Sequence, residues 1–291
     1  MVIYLIDVSG FIFRAFYALP QLTRLDGTQV GAVYGFCKML RKLRKMIIEK
    51  QHQTGEVSVL WAGVFDVSRH NFRHEMSPDY KACRRDTPKE LIPQFTLIRK
   101  ACKLFGCAVK EVQNFEADDV IASYATKAKG RGINVVIVSS DKDLMQLYDN
   151  GIEIFDPVSS KWITSEDILS KFGVDARRII DVQSLAGDAT DGISGVPGIG
   201  VKTAAILIKQ FGSLDALLAN VHMISPKNKR ELIAKNIENI HICRKLVTLV
   251  RDINVEIDVN ELKFDKEITS IQKDLIFNFY RENGFQTDIF C

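Results

Sequence analysis

The stretch Val2-Ile-Tyr-Leu-Ile-Asp7 is a short apolar, β-prone run that ends in an aspartate. The same pattern returns at 57–66, which ends in Asp66, and at 135–141, where two serines precede Asp141. Segments with helical spacing lie between these runs, at about 29–50, 94–105 and 116–129. Strands that alternate with helices are typical of a parallel sheet with right-handed crossovers. The sequence therefore predicts an α/β fold with a mostly parallel central sheet flanked by helices.

The pattern changes after residue 163. Up to that point a further short strand is predicted near 107–112, and beyond it the chain reads as helices separated by Gly and Pro turns. We therefore predict an α/β core over residues 1–163 and a helical subdomain over residues 164–291.

The composition is that of an ordinary globular protein, with 46% hydrophobic and 26% charged residues among 291. It excludes a disordered or low-complexity chain. No apolar run approaches the roughly 20 residues that a membrane span needs, and no secretory leader is visible. Six cysteines lie scattered without paired spacing, which argues against a zinc site or a disulfide framework. We expect a protein of the reducing cytoplasm without a membrane partner.

Acidic residues are the main functional signal. Three predicted strands end in aspartate, and the carboxyl ends of parallel strands face one crevice. Other acids open the helix at 116 or occur in the short stretches 141–143 and 188–191. Taken singly, each is more often a helix cap or a turn residue. The full set is Asp7, Asp66, Glu116, Asp118, Asp119, Asp141, Asp143, Asp188 and Asp191.

Nine carboxylates in one crevice would repel each other and raise their pKa values, unless cations offset the charge. Because the set contains only oxygen ligands, it favours Mg²⁺, or Mn²⁺ in its place, over zinc. Two such ions are the known apparatus for in-line phosphoryl displacement. The net charge of +3 would be +12 without these acids, so the rest of the chain suits a polyanion such as DNA. The alternative is that the acids are separate caps and surface charges.

Residues 67–92 do not fit the α/β scheme, because a strand-to-helix connection rarely exceeds a few residues. The segment is rich in charge and includes Arg73, Tyr80, Lys81 and Arg84. Long excursions of this kind are functional or disordered, and we favour a functional role. If the segment is helical, Lys81 and Arg84 project from one face.

A glycine-rich turn at 195–200 leads into a predicted helix. Glycines allow close backbone approach, and a helix N-terminus offers free N–H groups to a phosphate. Gly198, Gly200, Lys202 and Thr203 are the candidate DNA-backbone contacts, although a plain helix–helix corner is equally compatible with the pattern. The basic run 38–45 is best interpreted as the solvated face of a helix.

Taken together, these motifs resemble those of the 5′-nuclease (flap endonuclease) family, most closely its bacterial 5′→3′ exonucleases, which also form the N-terminal module of DNA polymerase I. The matching stretches span the chain in order. They are LIDVSGFIFRAFYAL (5–19), VFDVSRHNFRHE (64–75), YKACR (80–84), FEADDVIAS (115–123), SSDKDLMQL (139–147), LAGDATDGISGVPGIGVKTA (185–204) and the closing residues.

The resemblance implies a PIN-like nuclease core and two groups of metal ligands. The first group would be Asp7, Asp66, Glu116, Asp118 and Asp119, and the second Asp141, Asp143, Asp188 and Asp191. Residues 67–92 would form a helical arch over the site, with Lys81 and Arg84 as catalytic residues and with Arg73 and Tyr80 on the DNA.

The resemblance also implies a helix–three-turn–helix element at about 185–211 that grips duplex DNA around a potassium ion. The residues carried over for K⁺ are Leu185, Ala186, Ser194, Val196 and Ile199. This chain departs from the family pattern at Val8, Gly192 and Ser194, where Gly, Asn and Pro are usual.

The implied activity is metal-dependent hydrolysis of DNA at 5′ ends and 5′ flaps in replication and repair. It would take place in the cytoplasm on nucleoid DNA, with a DNA polymerase module as a partner in cis or in trans. Two alternatives stay open: a non-catalytic DNA-junction-binding module of the same fold, and a small-molecule phosphatase that uses Asp141 and Asp143.

Overall fold

The computed structural model describes residues 1–285, so Cys291 and the other closing residues lie outside the described range. Its six-stranded sheet has the order β3-β2-β1-β4-β5-β6. All neighbouring strands are parallel except β5 and β6. The strands are β1 (Val2–Asp7), β2 (Val59–Val64), β3 (Ala108–Lys110), β4 (Asn134–Val138), β5 (Ile152–Asp156) and β6 (Lys161–Ile163).

Thirteen α-helices occur in the described range, and no helix in that range is long and apolar enough to cross a membrane. They are α1 (Val8–Ala18), α2 (Gly31–Thr54), α3 (Phe72–Met76), α4 (Ile92–Leu104), α5 (Ala117–Gly130), α6 (Ser165–Phe172), α7 (Ile179–Ala186), α8 (Val201–Phe211), α9 (Leu214–Ala219), α10 (Lys227–Lys235), α11 (Ile237–Val247), α12 (Val259–Leu262) and α13 (Ser270–Glu282).

The predicted α/β fold with a mostly parallel sheet is confirmed, and the predicted strands and helices of the first half are present within a few residues. The sequence analysis missed α1, which follows β1 without a loop. Asp7 caps this helix by accepting a hydrogen bond from the backbone N–H of Gly10. It also missed β5 and β6, the two strands at one edge of the sheet.

Side chains of the central strand alternate between two hydrophobic cores, as the pleat of a strand requires. Ile3 and Leu5 of β1 pack in the core that contains α5 and the helices from α6 to α9. Tyr4 and Ile6 point into the opposite core, formed with α1, α2, α4 and α13. Because both faces are covered, β1 is buried along its whole length and its carboxyl end is the part that can reach a ligand.

The end of the chain returns to the first half of the molecule. The backbone N–H of Phe264 donates to the carbonyl of Val59 on β2 at 2.9 Å, and α13 packs against α4. The Arg44 side chain of α2 is buried here and donates to the backbone carbonyls of Asp265 and Lys266. The division at residue 163 stays a prediction, but residues 259–282 pack on the α/β core.

Arg44 supplies the prediction from this packing. Its guanidinium carbon lies 4.7 Å from the centroid of the Phe264 ring, and the arginine stem fills buried space. Arg44→Ala removes the two charged hydrogen bonds and the stacking on Phe264. The free energy of unfolding should therefore fall by roughly 2–4 kcal/mol. Lys45→Ala, at an exposed position of the same helix, should change stability by less than about 0.5 kcal/mol. Chemical denaturation of both variants checks this, and equal stabilities would refute the anchoring role.

Candidate metal centre

Three aspartates meet at one edge of the sheet, as the strand pattern predicts. Strands β2, β1 and β4 are neighbours, so Asp66, Asp7 and Asp141 follow one another along the carboxyl edge. Asp7 is 7% exposed and accepts a hydrogen bond from Ser139 Oγ at 2.7 Å. Asp66 accepts from the backbone N–H of Ala117 at 2.8 Å, which joins the start of α5 to the same edge.

These carboxylates carry negative charge that the fold leaves uncompensated. Burial, together with Asp141 and Asp66 nearby, raises the pKa of Asp7 to about 6. Burial and the charges of Asp141 and Asp7 also raise the pKa of Asp118 well above its usual value. Asp118 therefore faces the strand-end acids and belongs to the same crevice.

The second group lies beside the first. Burial raises the pKa of Asp143 to about 6, and the charge of Asp141 adds to the effect. Asp143 accepts a hydrogen bond from Gln183 Nε2 of α7 at 2.6 Å. Asp188 pairs with Lys142, and Asp191 accepts from Arg84 Nη2 at 2.6 Å.

Lys81 lies between the two groups. Its ammonium Nζ is 2.6 Å from Glu116 Oε1 and 3.8 Å from Asp191 Oδ2, and the side chain is 13% exposed. Burial alone would raise the pKa of Glu116, but Lys81 and Arg73 outweigh it and hold this pKa below its usual value. Lys81 and Arg84 thus occupy the positions at which cations offset the acidic crevice.

Residues 67–92 do not form the predicted helical arch. Before α4 begins at Ile92, only α3, five residues long, is helical, and the rest consists of turns and irregular backbone in which Lys81 takes a left-handed φ of 54°. The segment packs against the loop that carries Asp191, whose carbonyl accepts from the Lys81 N–H at 2.8 Å. Gly192 permits this contact, because a Cβ there would lie 2.2 Å from the carbonyl oxygen of Asp79. The departure at Gly192 therefore has a structural role.

Arg73 and Tyr80 do not fit the predicted DNA contacts. The Arg73 side chain is 1% exposed and is held by Asp119, and Tyr80 is 3% exposed and donates to Glu116 Oε2 at 2.8 Å. The sequence and the resemblance place both residues in the segment over the site, but neither reveals which of its side chains turn inward. Both side chains contact the acids at the start of α5 instead of facing solvent.

The glycine-rich turn lies before α8, as predicted, with Gly200 as the residue that precedes the helix. Gly198 has a φ of 79° and is exposed, and Lys202 in the first turn is exposed as well. These residues are free to meet a phosphate, whereas Thr203 is half-buried.

The residues predicted to surround K⁺ lie at the base of this turn. The N–H of Val196 donates to the carbonyl of Leu185 at 2.8 Å, and the N–H of Ile199 donates to the carbonyl of Val196 at 2.9 Å. Ala186 is half-buried and Ser194 is exposed. A carbonyl oxygen has two lone pairs, so these contacts leave room for a further cation contact.

Sequence reasoning missed several partners of the carboxylates. Ser139 serves two acids, since it donates to Asp7 and accepts from the N–H of Asp141 at 2.9 Å. Gln183 and Lys142 hold Asp143 and Asp188. Ser139 and Lys142 lie inside a quoted motif and could have been suspected, whereas nothing in the sequence pairs Gln183 with an acid forty residues away.

The chemical type of the candidate metal ligands suits divalent cations. The set is made of carboxylate oxygens, and the pKa values of Asp7, Asp118 and Asp143 are raised because burial and then neighbouring negative charges disfavour ionisation. Within residues 1–285, no group of three His, Cys, Asp or Glu side chains converges tightly enough to hold one ion. Lys81, Arg84 and Lys142 take up carboxylate oxygens that a metal would use.

Known families match this arrangement of sheet, crevice and helical subdomain. Residues 2–173 match the family described as "5′-3′ exonuclease, N-terminal resolvase-like domain", and residues 174–270 match "5′-3′ exonuclease, C-terminal SAM fold". The chain belongs to the 5′–3′ exonuclease family. The resemblance seen in the sequence is confirmed.

Named relatives fall into two kinds. A 5′-3′ exonuclease of Aquifex aeolicus is 35% identical over 91% of this chain and 87% of its own length. DNA polymerase I of Rhizobium leguminosarum is 44% identical over 91% of this chain, yet only 26% of that protein is matched. The chain thus spans about a quarter of the polymerase.

Solved structures of phage enzymes share the fold. T5 5′-exonuclease with bound divalent metal ions (zinc) superposes with a TM-score of 0.69 over 86% of this chain and 90% of the other, at 19% identity. A bacteriophage T5 flap endonuclease in a pseudo-enzyme–product complex with DNA and metal ions gives 0.66 over 86% and 90%, at 21% identity. At these identities the likeness shows the common fold.

The charge imbalance supplies a prediction for the metal-free chain. Because the folded-state pKa of Asp143 is raised, its charged form destabilises the fold above about pH 6, and the penalty fades as pH falls toward the unfolded pKa. Asp143→Asn should therefore raise stability at about pH 7.5 by roughly 1–3 kcal/mol, and the gain should shrink to about a third near pH 4.5.

Denaturation in EDTA at both pH values measures the gain. Asp156→Asn, at an acid that ends β5 on the same sheet and accepts from the Val158 N–H and from Ser159 Oγ, is the control and should bring no gain. A gain from Asp143→Asn that does not depend on pH would contradict the electrostatic explanation.

Proposed function

We propose that this chain is a metal-dependent 5′→3′ exonuclease and 5′-flap endonuclease that hydrolyses DNA phosphodiesters to 5′-phosphorylated products. The observation that carries the proposal is the placement of Lys81 and Arg84 against two groups of crowded carboxylates. An acidic crevice with cations at its rim suits a phosphodiester that needs both divalent ions and charge stabilisation.

The residues that would hold two Mg²⁺ ions, with Mn²⁺ as a substitute, come from both groups. Asp7, Asp66, Glu116 and Asp118 would serve the first ion, and Asp141, Asp143, Asp188 and Asp191 the second. When bound, such ions supply a nucleophile from water at neutral pH and stabilise charge on the phosphoryl group. Ion binding would also release Lys81 and Arg84 from their carboxylate partners, which leaves both cations free for the substrate.

Lys81 and Arg84 have different parts in this proposal. The ammonium of Lys81 is a compact charge close to both groups, so it meets the phosphate at which negative charge develops. The guanidinium of Arg84 is 47% exposed at the rim, where its planar fork can clamp a neighbouring phosphate. Both residues would then touch the substrate directly.

The glycine-rich turn before α8 would hold duplex DNA, with Gly198, Gly200, Lys202 and Thr203 against the backbone. A K⁺ ion at the base of the turn would be bound by Leu185, Ala186, Ser194, Val196 and Ile199. The preferred substrate would be duplex DNA with a 5′ end or a 5′ flap. A DNA polymerase module, in cis or in trans, would be the partner in replication and repair, in the cytoplasm on the nucleoid.

Cleavage of end-labelled flap, nicked, blunt and single-stranded substrates with Mg²⁺ tests the function. We expect 5′-phosphorylated products from the flap, no cleavage in EDTA, and no turnover of a generic phosphate ester. Asp66→Asn should abolish cleavage while it largely spares DNA affinity, and Asp191→Asn should leave weak activity that needs more metal. Tight binding of flapped DNA without cleavage would instead identify a junction-binding module.

The Lys81 ammonium yields a kinetic prediction. A cation fixed at developing charge stabilises the transition state more than the ground state. Lys81→Ala should reduce the single-turnover rate by about 10²-fold or more, with a smaller effect on affinity, if it matches a lost oxyanion donor. Lys89→Ala, an exposed lysine of the same segment, is the control and should leave the rate unchanged. Rapid-quench cleavage, paired with binding in Ca²⁺, separates the two effects. If the Lys81→Ala variant binds DNA more weakly but cuts bound DNA at the normal rate, Lys81 contributes to substrate binding only.

The glycine-rich turn yields a prediction for binding. Each phosphate contact to duplex DNA contributes about −0.9 to the slope of log K against log salt. Lys202→Ala should flatten that slope by roughly one and should weaken binding to all DNA sequences alike. Lys209→Ala, exposed in the last turn of the same helix, should leave the slope unchanged. Fluorescence anisotropy across a salt series measures the slope of each variant. Equal slopes for the two variants would show that the turn makes no phosphate contact and has only a structural role.

A further inference from the structure

Asp119 differs from the other eight acids in that all of its acceptor capacity is already used. Its Oδ1 accepts from Arg73 Nη2 at 2.7 Å and from the backbone N–H of Val250 at 2.9 Å. Its Oδ2 accepts from Arg73 Nη1 at 2.6 Å and from the backbone N–H of Glu116 at 3.3 Å. A carboxylate offers about four lone-pair sites, so none is left for an ion. The side chain is also fully buried.

Arg73 is saturated in the same way. Two of its five N–H groups go to Asp119, and a third reaches Glu116 Oε2 at 3.3 Å. The remaining two donate to the backbone carbonyls of Leu246 at 2.9 Å and Thr248 at 3.1 Å. With its side chain 1% exposed, Arg73 has neither a free donor nor a path to DNA.

This pair joins three parts of the chain that are distant in sequence. Arg73 lies on α3, eight residues before Lys81, and Asp119 lies in the first turn of α5, between Glu116, Asp118 and the helix body. The carbonyls and the N–H come from 246–250, at the end of α11 and in the residues that follow it. One guanidinium thereby ties the Lys81 segment to the carboxylates of α5.

We propose that Arg73 and Asp119 are positioning residues, and that Asp119 anchors the acidic crevice without binding metal. The inference rests on the proposed function for its catalytic consequence. Arg73 orients the first turn of α5, which presents Glu116 and Asp118, and it fixes the base of the segment that delivers Lys81. Its planar fork suits this task because two parallel hydrogen bonds define an orientation as well as a distance.

Mn²⁺ binding tests the proposal without any need for cleavage. We expect Asp119→Asn to bind as many Mn²⁺ ions at saturation as the wild type, as counted by electron paramagnetic resonance of free Mn²⁺. Asp118→Asn, the neighbouring acid, is the matched control and should lose one ion. Loss of an ion from Asp119→Asn would overturn the proposal.

A double-variant comparison tests whether the two residues act as a unit. Arg73→Gln and Asp119→Asn should each lower the single-turnover rate by about 10–100-fold, as is usual for residues that orient metal ligands. The combined variant should be no slower than either single one, because one shared interaction is lost. It should also melt at a higher temperature than either, since no lone buried charge remains. Rate losses that multiply in the combined variant would overturn the proposal.

DNA affinity in Ca²⁺ separates positioning from direct contact. Arg73→Gln should leave the slope of log K against log salt unchanged, whereas a direct phosphate contact would flatten it by about one. A flattened slope would overturn the positioning role of Arg73. If a single variant fails to fold, the ion count and the salt slope are measured on the combined variant, in which neither residue of the pair carries a charge. A wild-type chain that does not cleave flapped DNA would refute the proposed function alone, because the ion count still decides whether Asp119 is a ligand.

Discussion

Repulsion among the crowded carboxylates of the crevice, of which Asp7 is buried, governs how the elements around them pack. A parallel sheet brings the ends of β2, β1 and β4 together, so the fold cannot separate Asp66, Asp7 and Asp141. In water such acids would ionise freely, but burial and mutual proximity raise the pKa of Asp7 to about 6. Basic side chains from outside the sheet offset part of this negative charge. Lys81, Arg84 and Lys142 each reach a carboxylate of the crevice.

The same constraint explains why residues 67–92 pack inward. A segment with so many charges would be expected to extend into solvent, yet its Arg73 and Tyr80 are buried against Glu116 and Asp119. The acids of α5 hold the segment down, and Gly192 lets its backbone approach the second group closely. Divalent ions would compete for Glu116 and Asp191, the partners of Lys81, so metal binding and the position of this segment are expected to be coupled.

Much of the fold could be predicted because its signals are local. Apolar runs that end in Asp7, Asp66 and Asp141 indicate both the strands and the edge at which they meet. The rest depends on contacts between distant residues. A first-turn acid such as Asp119 looks the same whether it binds metal or an arginine, and only the fold shows that Arg73 lies beside it. The return of α13 to α4 was missed for a similar reason, since an amphipathic helix does not reveal which surface it covers.

The number of protons released when the chain binds Mg²⁺ tests directly whether the crowded carboxylates form the metal centre. Calorimetric titration in buffers of different ionisation enthalpy gives this number. Asp7 and Asp143, with pKa values of about 6, are partly protonated near pH 6 and must lose their protons to coordinate an ion. We expect a clear release of protons at about pH 6 that falls toward zero above about pH 8. Mg²⁺ binding with no proton release near pH 6, or no binding at all, would contradict the claim that these crowded carboxylates form the metal centre.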